Sequence, residues 1–290
     1  MKKLKGWLIY TEEDYKSNQD FAHRFVDQAW EHQMEIRLVL TKDLFYGIRN
    51  NALLITSGSL SLPDFVINRT TDTLLAMQLE AMGIRVFNNS EISAICNDKA
   101  RTYQEAVRLG LPVVDTLFLT KKMLAACQYT FTFPAVLKSV GGRGGREVFL
   151  VENAKEAAFM AANISSDRFV LQKLCGNPGR DVRVFVMGKR IIGAIERSSK
   201  KDFKANYKLG GSAGIYNLSA QEKSLVSKLT HRFDFGFAGI DFIFDENQQF
   251  LFNEIEDVVG SRTLHIYAGI NAVGLYLEHI SDIFRGTSQK

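Results

Sequence analysis

The stretch Gly239–Arg262, GIDFIFDENQQFLFNEIEDVVGSR, sets carboxylates into an otherwise apolar segment. Two apolar runs, Gly239–Phe244 and Phe250–Ile255, flank the polar segment Asp245–Gln249, which is the pattern of a hairpin. If Asp245 faces Phe250 across a loop at 246–249, Asp241 falls opposite Glu254. Glu256, two residues further on, then shares their face. Carboxylates that close repel one another and raise each other's pKa. A hard divalent cation, held through oxygens together with substrate phosphates, resolves the conflict. A metal site at Asp241, Glu254 and Glu256 is therefore expected, against the plainer reading that the two glutamates mark a solvated strand end.

A second group of residues suits anionic ligands. Val140–Arg146, VGGRGGR, places Gly141, Gly142, Gly144 and Gly145 around Arg143. Glycine lets backbone N–H groups approach an anion with no Cβ in the way. No Gly-Lys-Ser/Thr follows and the loop leads into a strand, so it is not a Walker loop. It reads as a flap over phosphates or as an ordinary flexible hairpin tip. Lys138, at the end of the strand feeding it, can reach a phosphate. The strand Phe169–Leu174 ends in Gln172, Lys173 and Leu174, where released backbone groups can pair with an adenine edge. Asp181 and Arg183 share one strand face, which suits a site or equally a structural ion pair across the sheet, and Arg197 ends the next strand. Lys200, Lys201, Lys204 and Lys208, with Asn206 and the glycines at 210 and 211, suit either a phosphate loop or a solvated face. The five histidines do not cluster, and no Ser/His/Asp or Cys/His arrangement can be argued.

These groups need a scaffold. At 290 residues the chain suits about two domains. Its 46% hydrophobic and 23% charged content is that of a globular protein. A net charge of +4 permits an anionic ligand without arguing for nucleic acid. No segment approaches the roughly 20 apolar residues of a membrane span, and the apolar run Gly6–Tyr10 is too short for a secretory signal. Cys96, Cys127 and Cys175 lack C-x-x-C spacing, so neither a disulfide framework nor a zinc site is indicated, and a cytoplasmic location is expected. Strands at Lys5–Tyr10, Ile36–Leu40, Ala52–Thr56, Asp64–Asn68 and Ile84–Phe87 alternate with helices, which argues a small α/β unit with a largely parallel sheet. A G-x-G-x-x-G after the first strand is missing, which speaks against a dinucleotide site and a dehydrogenase. One helix is expected from Asn89 to Gly110, a mobile loop over Ser198–Gly214 and a last helix over Gly269–Ile283. Hairpins dominate the second half, so it reads as α+β. The expected division is 1–90, 91–175 and 176–290.

Taken in order, the segments DKARTYQEAVRLGLPVVDT, PAVLKSVGGRGG, FVLQKL, GRDVRVFVMGKRIIGAIER, FKANYKLGG, GFAGIDFIF and FLFNEIEDVVGSR resemble the ATP-grasp ligases. Specifically, they resemble the branch containing the RimK-type glutamate ligases and LysX-type amino-acid ligases. The resemblance runs from about Asp98 to the final helix. It implies an ATP-grasp fold behind an N-terminal Rossmann-like α/β domain. It also implies an ATP- and Mg2+- (or Mn2+-) dependent carboxylate–amine ligase that works through an acyl phosphate. In that reading Lys99 and Lys138 hold ATP phosphates under the 141–145 loop. Gln172, Lys173 and Leu174 line the adenine, and Asp181 sits near the ribose. Arg183 and Arg197 stabilise the transferring phosphoryl group. Lys204, Ala205 and Asn206 match an R-x-N segment at the nucleotide, and Asp241 and Glu254 hold the metal. Two departures stand out. Glu256 replaces the family's asparagine, and Lys204 replaces an arginine, losing its bidentate fork. The implied partners are ATP, an amino-acid donor such as glutamate, and an acceptor carboxylate on a small molecule, peptide or carrier protein. Nucleic acid and membrane are not implied, and a homo-oligomer is left open. A dipeptide or natural-product amide ligase of the same fold, or a nucleotide-binding regulator without turnover, are the alternatives.

Overall fold

A computed structural model describes residues 3–58, 61–199 and 211–286. The first ninety residues supply strands β1 (Leu4–Tyr10), β2 (Met34–Leu40), β3 (Phe45–Arg49), β4 (Ala52–Thr56), β5 (Phe65–Asn68) and β6 (Arg85–Phe87). Helices α1 (Glu12–Ser17), α2 (Gln19–Gln28) and α3 (Thr73–Ala81) run between them. Four strands form a parallel sheet in the order β2-β1-β5-β6. Alternation along β1 sends Trp7 and Ile9 to one face and Leu8 and Tyr10 to the other, and both faces are buried. A parallel strand covered on both sides reads as a continuous apolar run, as Gly6–Tyr10 does.

The strand over Ala52–Thr56 exists, but it is no part of that sheet. It pairs antiparallel with β3 in a separate two-stranded ribbon. Its two-residue turn, Asn50-Asn51, has both φ angles positive, at 50° and 60°. That is the twist-matched turn of a tight hairpin, and Asn tolerates it better than most residues.

The next elements are α4 (Ser90–Cys96), α5 (Lys99–Arg108), β7 (Thr116–Thr120), α6 (Lys121–Ala126), β8 (Ala135–Ser139), β9 (Val148–Val151), α7 (Ala154–Ala162) and β10 (Arg168–Lys173). The single helix expected from Asn89 to Gly110 is two. The break falls at Asn97-Asp98, where Asp98 caps α5 by accepting the Arg101 N–H at 3.0 Å. Short side chains with acceptors compete with the helical backbone and favour caps over interiors. The strands form an antiparallel sheet ordered β7-β10-β8-β9, with α6 and α7 packed on it.

The last portion holds β11 (Arg180–Met187), β12 (Arg190–Ser198), β13 (Ser212–Ile215), α8 (Ala220–Arg232), β14 (Phe237–Phe244), β15 (Phe250–Glu256), α9 (Arg262–Ala268) and α10 (Ala272–Phe284). Two expectations need correction here. Within the segment read as a loop, 198 ends a strand and 212–215 form another. A short helix, α9, precedes the final one, ended by Gly269 in the left-handed region at φ 65°. The sheet order is β13-β12-β11-β14-β15, all antiparallel.

Alternation on this five-stranded sheet positions the site. Val182, Val184, Val186, Ile240, Phe242 and Phe244 point into a core shared with α4, α5 and α8. The opposite face carries Phe185, Met187 and Phe237 at one end, packed against the N-terminal sheet and α10. At its other end stand Asp181, Arg183 and Asp241. One face thus runs from apolar to charged along its strands. Asn88 pins the junction between the sheets. Its amide donates to the carbonyls of Phe237 (3.0 Å) and Asp257 (2.7 Å) and accepts the N–H of Gly236 (2.6 Å).

Candidate active site

The hairpin of β14 and β15 does set Asp241 opposite Glu254, by a route the sequence did not disclose. Phe244 pairs with Phe250, and Phe242 with Phe252, a register that would put Asp241 opposite Asn253. A bulge at Asn253 shifts the pairing by one, so Asp241 meets Glu254 and Gly239 meets Glu256. Bulges insert one unpaired residue and re-aim side chains, and they concentrate beside functional sites. Asp241 thus stands opposite Glu254 across a five-residue loop, 245–249, one residue longer than the expected 246–249.

One carboxylate oxygen from each of Asp241, Glu254 and Glu256 lies within 4.8 Å of the others. Asp241 is almost fully buried, while the Glu254 and Glu256 side chains are each about one-third exposed, at 33% and 35%. An all-oxygen donor set, open on one side, fits a hard divalent ion that keeps water or phosphate among its ligands.

Two arginines bind the same carboxylates. Arg183 forks Asp241 through Nε–Oδ1 (2.7 Å) and Nη2–Oδ2 (2.6 Å), and reaches Glu256 through Nη1 and Nη2, both at 2.7 Å. Arg197 forks Asp181 with two bonds of 2.7 Å and donates to Asp241 at 2.8 Å. The result is a chain, Asp181–Arg197–Asp241–Arg183–Glu256, drawn from four adjacent strands. Burial opposes ionisation of Asp241, yet Arg183 and Arg197 override it and hold the carboxyl down at about 2. Burial likewise works against the Arg183 charge, but Asp241 and Glu256 push its pKa well above the ordinary value. Bidentate, charge-assisted pairs of this kind fix orientation as well as adding energy.

The basic side faces this cluster. Lys99 opens α5, donates to the Gly142 carbonyl and lies 3.8 Å from Glu254. Lys138, on β8, donates to Asn253 Oδ1 at 2.9 Å. Burial lowers the pKa of both lysines, partly offset by Glu254. The glycine segment forms the tip between β8 and β9, with Gly144 and Gly145 at φ 63° and 73°, a region L side chains enter at a cost. A Cβ on Gly142 would stand 2.9 Å from Glu147 Oε2 and 3.1 Å from Glu147 Cβ, whereas one on Gly141 would meet nothing within 4 Å.

The structure brings together Lys99, Lys138, the glycine tip, Asp181, Arg183, Arg197, Asp241, Glu254 and Glu256. Gln172 is 2% exposed, and its side chain is already engaged, accepting from Tyr103 (3.1 Å) and donating to Thr116 (2.9 Å). The Lys173 N–H is taken by Asp115 O at 3.0 Å, and Leu174 follows half-buried. Lys204, Ala205 and Asn206 lie outside the described residues. Arg262 has an exposed side chain, and the partner of Asp257 is Asn97 at 3.0 Å. Sequence reasoning missed Asn253 and Tyr103. Asn253 supports Lys138 and stands 3.4 Å from the Tyr103 hydroxyl. The one hint was a lone amide breaking the alternation of β15.

A parallel α/β sheet leading into two antiparallel sheets, with a glycine-tipped hairpin facing a carboxylate–arginine cluster, defines an ATP-grasp ligase, an enzyme that joins a carboxylate to an amine with release of ADP. Residues 96–280 match the RimK-like ATP-grasp domain, and the chain belongs to that family. Among curated relatives, the Glutamate--LysW ligase ArgX of Sulfurisphaera tokodaii is 26% identical over 70% of this chain and 75% of its own. Beta-citrylglutamate synthase B of Homo sapiens is 25% identical over 96% of this chain and 78% of its own. Among solved structures, the VanG D-Ala:D-Ser ligase of Enterococcus faecalis superposes with a TM-score of 0.75 at 18% identity, covering 97% and 99% of the two chains. The ATP-grasp ligase PsnB, complexed with a precursor variant, Mg and ADP, gives 0.65 at 16% identity, covering 95% and 97%. None of the described helices is long and apolar enough to cross a membrane.

Proposed function

We propose that this chain is an ATP- and magnesium-dependent ligase that attaches an amino acid, glutamate first among them, to a carboxylate on a small molecule, peptide or carrier protein. The observation that carries the reading is the convergence of Asp241, Glu254 and Glu256 on one face, opposite Lys99 and Lys138. The names of the relatives ArgX and beta-citrylglutamate synthase support glutamate. Three free cysteines, one of them exposed, fit a reducing compartment such as the cytoplasm.

In this mechanism Lys99 and Lys138 bind the ATP phosphates, and the 141–145 tip lays its backbone N–H groups over them. The substrate carboxylate oxygen attacks the γ-phosphorus, the bond to the ADP oxygen breaks, and an acyl phosphate forms. The amine nitrogen then attacks the carbonyl carbon, phosphate leaves, and the nitrogen gives up a proton. Asp241, Glu254 and Glu256 would hold magnesium or manganese, which when bound screens phosphate charge from the incoming carboxylate. Arg183 and Arg197 point fixed positive charge at the region where charge develops. Gln172, Lys173 and Leu174 stand at the adenine end, with Asp181 near the ribose.

The test is release of ADP and phosphate with L-glutamate or, separately, other free amino acids as amine, across a panel of carboxylate acceptors, at varied magnesium. Amide product that requires glutamate, magnesium and one acceptor class is expected. Turnover with other amino acids but none with glutamate would overturn the donor assignment, and ADP release without amide formation would overturn the ligase chemistry.

A further inference from the structure

The N-terminal sheet reverses between β1 and β5. From β1 the chain passes to β2 on one side, and from β5 it passes to β6 on the other. Residues of α2 pack with Leu8 and Tyr10 on one face, those of α3 with Trp7 and Ile9 on the opposite face. The connections leaving β1 and β5 therefore part beyond the strand ends. Open α/β sheets take ligands in the crevice outside the carboxyl ends of their strands at such a reversal. Here Tyr10 ends β1, and Arg69 follows β5 with its N–H donating to the Ile9 carbonyl at 2.9 Å.

Arg69 is only 4% exposed, yet no carboxylate among the described residues pairs with it. Its Nη2 donates to the Val259 carbonyl at 2.9 Å, and its Nε is buried without a partner. The guanidinium carbon lies 5.9 Å from the centre of the Tyr10 ring and 5.3 Å from that of Phe21. The hydroxyls of Tyr10 and Ser261 are likewise buried without partners. A buried cation is costly unless an anion compensates it. Arg183 and Arg197 meet that demand with forked carboxylates, whereas the Arg69 fork stays open. Val259 follows Glu256 closely in the chain, which ties this open fork to the segment leaving the carboxylate cluster.

We infer that Arg69 binds a carboxylate of the amino-acid substrate, one that ATP does not activate, in the crevice between β1 and β5. The inference rests on the ligase reading above. The carboxylate to be phosphorylated must face the phosphates, which Lys99 and Lys138 attend from α5 and β8. A planar fork flanked by rings suits a carboxylate that is held and does not react. Asp257 favours an amino acid over a plain anion. Its side-chain partner among the described residues is Asn97, and it is close enough to feel the Arg69 charge. A molecule carrying both an amino group and a carboxylate finds opposite charge for each.

The test is calorimetric binding of L-glutamate, or of whichever free amino acid supports turnover, to the full chain with ADP and magnesium present. Wild type, Arg69→Gln and Arg69→Lys are compared, together with the carboxamide forms of the same amino acid. Arg69→Gln is expected to weaken binding and raise KM for the amino acid about 30-fold, with kcat and KM for ATP little changed. Arg69→Lys, which keeps the charge and loses the fork, is expected to weaken binding about tenfold. The melting temperature of Arg69→Gln should not fall, because the charge it removes is uncompensated. Wild type should reject the carboxamide whose acid form Arg69 holds, α or γ in the case of glutamate, and Arg69→Gln should not discriminate. Equal amino-acid affinity in wild type and both variants would overturn the inference, as would a wild type that binds no amino acid. A parallel rise in KM for ATP and for the amino acid would also overturn it, since Arg69 would then be structural. Amide formation by a wild type whose variants keep their amino-acid affinity would sink this inference and leave the ligase standing. Glutamate binding without amide formation in the wild type would do the reverse.

Discussion

The two sides of the site are built differently. The carboxylates and arginines stand on β11, β12, β14 and β15, four neighbours in one sheet, and they satisfy one another through seven hydrogen bonds of 2.6–2.8 Å. The phosphate side consists of two partly desolvated lysines and a partly exposed glycine tip that Lys99 holds through the Gly142 carbonyl. Strand positions packed on a core fix a geometry before any ligand arrives. A glycine tip instead carries no Cβ to hold its backbone in one shape, so it re-forms around an anion at little steric cost. The contrast teaches that mutations of the arginine-paired sheet residues should cost folding as well as activity, whereas mutations on the tip should act mainly on nucleotide affinity.

The largest break is expected from Asp241→Asn. Removing the charge leaves Arg183 and Arg197 buried and under-compensated, a loss of about 3–5 kcal/mol in stability, and turnover should fall roughly 1000-fold. Urea midpoints and ADP release check both parts. Glu254→Gln separates the two costs. Its side chain is one-third exposed and its nearest basic partner among the described residues, Lys99, is 3.8 Å away, so stability should change by about 1 kcal/mol or less. Turnover should nonetheless fall on the order of 100-fold, with a raised magnesium requirement. On the phosphate side, Gly142→Ala must displace Glu147 and is expected to cost about 1 kcal/mol of stability, read from urea midpoints, together with a several-fold higher KM for ATP. Gly141→Ala, with open space around it, should leave that KM unaltered.

The smallest effect lies outside both regions and serves as their control. His279, on α10, has its pKa lowered chiefly by burial, against the pull of Asp234 and Asp282. The unfolded imidazole takes up its proton near pH 6.5, and the folded one only at lower pH. Stability is therefore present above about 6.5 and is lost as pH falls below it. His279→Gln should flatten that loss between roughly pH 6.5 and 5, measured by urea midpoints, without changing KM for ATP.

Much of this was legible in the residues. Side-chain alternation put Asp181 with Arg183 on one face, and the paired apolar runs revealed the carboxylate hairpin. The glycine tip announced itself by composition. What could not be read was local register and capping. The bulge at Asn253 depends on how Phe242, Phe244, Phe250 and Phe252 pack, and no spacing rule counts it. The break at Asn97-Asp98 trades helical hydrogen bonds for a cap and for the contact of Asn97 with Asp257, a partner 160 residues away. The Ala52–Thr56 strand went into the wrong sheet because a parallel strand and a hairpin arm carry the same β-branched and aliphatic composition.

The most direct test of the account is manganese binding in the presence of ADP, followed by electron paramagnetic resonance, for wild type and Glu254→Gln. Tight manganese uptake by the wild type, weakened at least tenfold in a folded Glu254→Gln, is the result expected if Asp241, Glu254 and Glu256 hold the metal. Equal uptake by both proteins would contradict it.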